Sequence, residues 1–168
     1  MEWLKYLTIQ KDDKGVFINQ QRQGTVYFKY FDGRLMYEDH YDQDLHHGSQ
    51  LGWYKNGQVW FEDNFDHGNR HGIYRSWYEN GHYWTEENYY DGQKHGIQRE
   101  WHRGVRLSRE RNYNFGQLHG IQRSWYENGQ LCYERSYDYG KRHGIYRSWY
   151  ENGRLKYKHN YINGKKQN

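Results

Sequence analysis

At 168 residues the chain is the size of one domain, and Leu, Ile, Val and Phe supply only 26 of them, a share near that of disordered proteins. Disorder is opposed by 8 Trp and 20 Tyr, each ring able to bury ~150–250 Å², and by a net charge of only +4. One cysteine, Cys132, excludes an internal disulfide and a Cys-based zinc cluster, and no apolar run reaches the length of a signal-peptide core or membrane span, so a soluble, intracellular, cytoplasmic protein is expected.

Pro and Ala are absent while Trp and Tyr are plentiful, which predicts strands before any pattern is read. Residues 1–23 come first and break the period that follows. Trp3 to Ile9 and Val16 to Gln21 are predicted strands about the turn Asp12-Asp13-Lys14-Gly15, together an N-terminal capping hairpin. From Gly24 onward the chain repeats every 24 residues, as His-Gly recurs at Gly48, Gly72, Gly96, Gly120 and Gly144. The six units are 24–47, 48–71, 72–95, 96–119, 120–143 and 144–167.

With the leading Gly of each unit as position zero, position five is Trp53, Trp77, Trp101, Trp125 and Trp149. Position nine is Gly except for Val105, and position seventeen is Tyr or Phe in every unit. Unit five shows the grammar: a strand Ile121 to Tyr126, a turn Glu127-Asn128-Gly129, a return strand Gln130 to Tyr137, then a linking loop Asp138 to His143. A two-residue turn would pair Glu127 with Gln130. A three-residue turn with a glycine bulge pairs Trp125 with Leu131, and is preferred because it gathers Ile121, Trp125, Leu131 and Tyr133 on one face. The candidate core is then the five tryptophans with Leu131, Tyr133 and Tyr137. Arg75, Arg99, Arg123 and Arg147 fall on the same face, either packing their stems over aromatic rings or lining a groove. Unit four is irregular: His102-Arg103-Gly104-Val105 puts its Gly one residue early, and a turn shifted onto Arg103-Gly104 is expected. Lys156 and Lys158 on the last strand, Arg154 to Tyr161, would protect an exposed edge.

One hairpin cannot bury its own face, so the units must stack into a continuous sheet. The fold expected is all-β, an elongated single-sheet array of stacked antiparallel hairpins with a 24-residue period. The stretch Gly120-Ile121-Gln122-Arg123-Ser124-Trp125-Tyr126-Glu127-Asn128-Gly129-Gln130-Leu131, followed by Tyr137 and Gly140-Lys141-Arg142-His143-Gly144, resembles the MORN repeat. It is more closely similar to the variant MORN repeat of bacterial antitoxin-like and large DNA virus proteins. The resemblance covers residues 24–167 and is weaker in unit one, where Lys29 stands in place of Trp. It implies a curved sheet with a scaffold or membrane-associated role, and fits a structural, virion-associated component.

The residues themselves point away from catalysis, since no phosphate loop, His-Glu-x-x-His or Gly-x-Ser-x-Gly appears and no cofactor is expected. Glu62, Glu86, Glu110 and Glu134 read as a solvated face. His47, His71, His95, His119 and His143 form a ladder too widely spaced, at ~9.6 Å per unit, to share a metal; only local pairs such as His46/His47 or His67/His71 are near enough. Three partners are considered. Another protein is favoured, because repeat surfaces rich in Tyr and Trp suit interfaces. Acidic phospholipids would meet a basic loop edge of Arg70, Lys94, Arg142, Lys165 and Lys166, opposite a turn edge carrying Glu79, Glu127 and Glu151. Nucleic acid ranks last, since 21 acidic residues nearly balance 25 basic ones.

Overall fold

The computed structural model describes residues 10–12, 15–18, 21–103 and 105–168. Every regular element among them is a strand, and from Gly24 on these strands form one 18-stranded antiparallel sheet. Each unit contributes three: a first strand such as Gly120–Trp125, a return strand such as Leu131–Asp138, and a two-residue arm such as Lys141–Arg142.

The first turn takes the bulged register. Trp125 lies opposite Leu131, Tyr126 N–H donates to the Gln130 carbonyl at 2.9 Å, and Gly129 holds φ near 87°. The bulge, however, also shifts the return strand, because Tyr133 lies opposite Ser124 and Cys132 is the extra residue. One inserted residue moves everything beyond it to the other side of the sheet. The expected grouping of Tyr133 with Trp125 is therefore corrected. One face, called here the arginine face, carries Ile121, Arg123, Trp125, Leu131 and Glu134; the other, the tyrosine face, carries Gln122, Ser124, Tyr133, Arg135 and Tyr137.

What reads as a linking loop is a second hairpin. Asp138 pairs with Lys141 around the two-residue turn Tyr139-Gly140, both at positive φ (41° and 80°), the twist that matches flanking strands. Each arm then tethers the next unit: Gly140 N–H donates to the Leu118 carbonyl and Gly164 N–H to that of Arg142, both at 2.8 Å. Adjacent units also pair directly, but only at two residues, Tyr133 with Ser148 and Glu134 with Arg147.

Between that short pairing and the arm, the return strand would lose its partners. A glutamine fills the gap. The Gln122 amide accepts from Asn112 N–H (3.1 Å) and donates to the Asn112 carbonyl (3.0 Å), and Gln50 and Gln98 serve His40 and Asn88 alike. These side chains stand in for a missing peptide group and are buried accordingly, Gln122 at 1% exposure. A single-layer sheet has no second sheet to cover it, so the only buried hydrophobic residues among those described are Val26 and Tyr41. The tryptophans are half-buried on the arginine face, so the expected tryptophan core is replaced by a polar line on the tyrosine face, with Gln50, Ser76, Gln98, Gln122 and Ser148 beneath larger rings.

Three further expectations change, while the predicted strand Trp3–Ile9 lies outside the described residues. Residues 15–18 and 21–22 do not break the period: Phe17 pairs with Arg22 as Tyr41 does with His46, 24 residues on. At the other end, the arm Lys165–Gln167 pairs with Leu155–Ile162, so the last strand is not the one bearing Lys156 and Lys158. In unit four the turn does not shift. Trp101 stays opposite Leu107, and Val105 adopts the left-handed φ of 68° that glycine takes elsewhere.

Candidate functional site

The arginine face neutralises itself. Arg75 bridges Glu62 and Glu86, Arg99 bridges Glu86 and Glu110, Arg123 bridges Glu110 and Glu134, and Arg147 reaches Glu134, at 2.9–3.7 Å. The four arginines therefore line no free guanidinium groove, and the glutamates are half-buried ion-pair partners rather than a solvated face. Position three faces position fourteen across each hairpin and the next unit repeats it, which builds the zigzag.

The tyrosine face is assembled by the arms. Position 22 lies opposite position seventeen, so its cation folds over the tyrosine rings instead of leaving the edge. Arg70 lies over Tyr74 (4.9 Å) and Tyr89 (5.2 Å), and Arg142 over Tyr161 (5.4 Å) and Tyr146 (5.9 Å). Lys94 is 5.9 Å from the Tyr89 ring and 2.6 Å from Glu87. The expected basic edge thus loses Arg70, Lys94 and Arg142; Lys165 and Lys166 remain exposed at its end.

Units one to three add carboxylates at position fifteen. Buried Asp63 accepts a 2.7 Å ion pair from Arg70, and burial still pushes its carboxyl above the ordinary range. Glu87 ends below its ordinary value; burial opposes this, but hydrogen bonds from Lys94 and Tyr89 outweigh it. Between units one and three Asp39, Asp63 and Arg70 border an open cleft of about 410 Å³ walled by Tyr37, Trp60, Phe61, Phe65 and Tyr74. Gly52 admits the Phe61 ring, since a Cβ there would sit 2.4 Å from a ring carbon.

In units four to six position fifteen turns basic: Arg111, Arg135 and His159. Arg111 shares Glu100 with Arg109. Arg135 lies over Tyr133 (4.7 Å) and Tyr137 (5.5 Å), with its Nε–H enclosed and unpaired. The Tyr146 hydroxyl meets that of Tyr157 at 3.2 Å, and burial together with that contact pushes it up to about 12.

Two features explain residues that the sequence left unexplained. Position-six hydroxyls cross to the next unit, as Tyr54 donates to the Trp77 carbonyl (2.8 Å) and Tyr126 to that of Trp149 (2.9 Å). His102 reaches the Trp125 carbonyl at 3.2 Å and takes over that role in unit four. The histidine ladder stacks on the second turn: His47 on His67, His95 on Phe115 and His119 on Tyr139, at 4.5–4.8 Å. Neither expected local pair forms the one metal-capable cluster among the described residues. That cluster is His47, Asp66 and His67, exposed, with ligand atoms within 4.8 Å. Its donors are already engaged with one another, His67 to Asp66 at 2.5 Å and His47 to Asp66 at 3.4 Å.

The glutamine line and the charge change at position fifteen were both visible once the units are aligned, as recurring Gln50, Gln98 and Gln122, and as Asp39, Asp63 and Glu87 against Arg111, Arg135 and His159. A family model described as the MORN repeat variant matches residues 47–67, 70–90, 118–139 and 142–163. It leaves out the irregular fourth turn. No curated protein matches the chain.

Proposed function

We propose that this chain, which belongs to the MORN repeat variant family, is a non-enzymatic scaffold that holds another protein against its tyrosine face. MORN repeats are generally scaffold elements that bind proteins or membranes, and a fold of this kind does not itself specify the partner. One observation supports the choice of protein: a single-layer sheet leaves a strip of Tyr and Phe rings, interleaved with hydroxyls and capped by guanidiniums, with no second sheet over it. Tyr and Arg are the side chains that most often anchor protein interfaces, and repeats present such surfaces over long distances.

Cross-linking mass spectrometry in the native source tests this reading. A stoichiometric protein partner linked through the tyrosine-face lysines Lys94, Lys156 and Lys166 is expected. Links confined to the arginine face, or no protein partner at all, would count against it. Peripheral binding to acidic lipids is the alternative, and it now rests on Lys165 and Lys166. Flotation with phosphatidylserine vesicles that persists at low salt and vanishes at high salt would favour it.

A further inference from the structure

We propose that units five and six of the tyrosine face form the docking surface for an acidic peptide segment of the partner, an inference that rests on the scaffold reading above. The argument begins with charge along one face. In units one to three the face carries the carboxylates Asp39, Asp63 and Glu87, of which Asp63 is paired with Arg70 and Glu87 with Lys94. In units five and six the same face carries Arg135, Arg142, Lys156 and Lys166, and no Asp or Glu. Whole-chain charge hides this step, because the acidic residues of units five and six lie on the other face and in the turns.

Arg135, Arg142 and Lys156 are held in place by rings and not by counter-ions, and Lys166 is exposed beside them. Lys156 lies over Tyr150 (5.3 Å) and Tyr157 (5.9 Å), beside the stacked Arg135 and Arg142 already described. A carboxylate arriving at Arg135 therefore breaks no ion pair and gains a charge-assisted bond, bidentate where the guanidinium fork allows. At Arg70 the same carboxylate would have to displace Asp63, 2.7 Å away.

Other polyanions fit less well. Single-stranded nucleic acid binds by stacking bases on free aromatic faces, and here guanidiniums cover the rings of Tyr133, Tyr137, Tyr146 and Tyr161. A lipid surface needs cations projecting from an edge, whereas Arg135 and Arg142 lie flat and half-buried. An extended peptide is narrow enough to lie along the strip and flexible enough to place its carboxylates one at a time.

The test is fluorescence anisotropy with the full chain and a labelled glutamate-rich peptide, against a glutamine-rich peptide of equal length. The glutamate peptide should bind, and binding should weaken with salt. Arg135→Gln and Arg142→Gln should each weaken it about tenfold or more, the loss expected for one charge-assisted hydrogen bond. Lys141→Gln removes the same charge from the other side of the arm, where Lys141 is exposed opposite Asp138, and should leave binding unchanged. Exposed Lys166→Glu serves if the arginine variants fail to fold, and should weaken binding likewise. Equal binding of the glutamine peptide, or loss with Arg70→Gln instead of Arg135→Gln, overturns the inference. So does equally tight binding of a single-stranded oligonucleotide or phosphatidylserine vesicles with the same arginine dependence. Those results leave the scaffold reading standing, which fails only if cross-linking finds no protein on this face.

Discussion

Val105→Gly should stabilise the protein, although it removes an apolar side chain. Val105 holds φ at 68°, where Gly33, Gly57, Gly81, Gly129 and Gly153 sit at 82–88° in the other units. For an L-residue this conformation costs ~1–2 kcal/mol, and a β-branched side chain is among the least suited to it. Valine is 62% exposed, so deleting it gives up little burial. Glycine pays a larger unfolded-state entropy, ~0.5–1 kcal/mol, leaving a net gain of about 0.5–1 kcal/mol. The bonds that hold the turn in register remain: His102 N–H to the Arg106 carbonyl at 2.9 Å and Arg106 to the Glu127 carbonyl at 3.0 Å. If the array melts as one unit, the midpoint should rise by roughly 1–4 °C. In a repeat array the irregular unit can open alone, so hydrogen exchange is the sharper assay. Residues 101–103 and 105–112 should exchange faster than 125–136 in the parent, and about two- to fivefold more slowly in the variant, as the gain in opening free energy requires. A variant that exchanges as fast as the parent, or faster, would show that Val105 carries no strain.

Gln122→Ala should cost about 2–3 kcal/mol in urea denaturation, because Asn112 N–H is left unpaired in a buried position while its carbonyl keeps only the His119 N–H; a loss under ~0.5 kcal/mol would refute the peptide-substitute role. Gly52→Ala should destabilise by about 1–3 kcal/mol, since its Cβ would meet the Phe61 ring at 2.4 Å; an unchanged melting temperature would show that the ring moves aside freely. Glu87 has a native pKa below its unfolded value of 4.5, so its contribution is present above 4.5 and lost as pH falls through the lowered native value. Glu87→Gln should therefore be less stable than the parent near neutrality and lose less on acidification through that window; parallel curves of melting temperature against pH would contradict the assignment.

The 24-residue period, the strand content and the bulged first turn were legible in the residues, because each rests on local chemistry. Asn-Gly can make only a few turns, and a fixed spacing without insertions is what stacked hairpins require. Trp125 opposite Leu131 required a choice between two turns, made on the apolar residues that the bulged one gathers. The side of Tyr133 was not legible, because the bulge at Cys132 inverts the return strand without any residue type that announces it. The arms were missed for a related reason: Tyr139, Phe115 and His67 are poor candidates for left-handed φ, and only the histidines packed against them and the backbone bonds to the preceding arm hold them there. The arms in turn decide where charge goes. Read as a string, Arg70, Lys94 and Arg142 are loop cations; paired opposite position seventeen, they become the lid of an aromatic face. Sequence by itself thus determined the repeating unit, since local turn chemistry and strand preference act within one hairpin. Which face each side chain occupies, and which charges cancel, depends on the bulge, on the pairing of the arms and on contacts between units, and only the tertiary structure decided that.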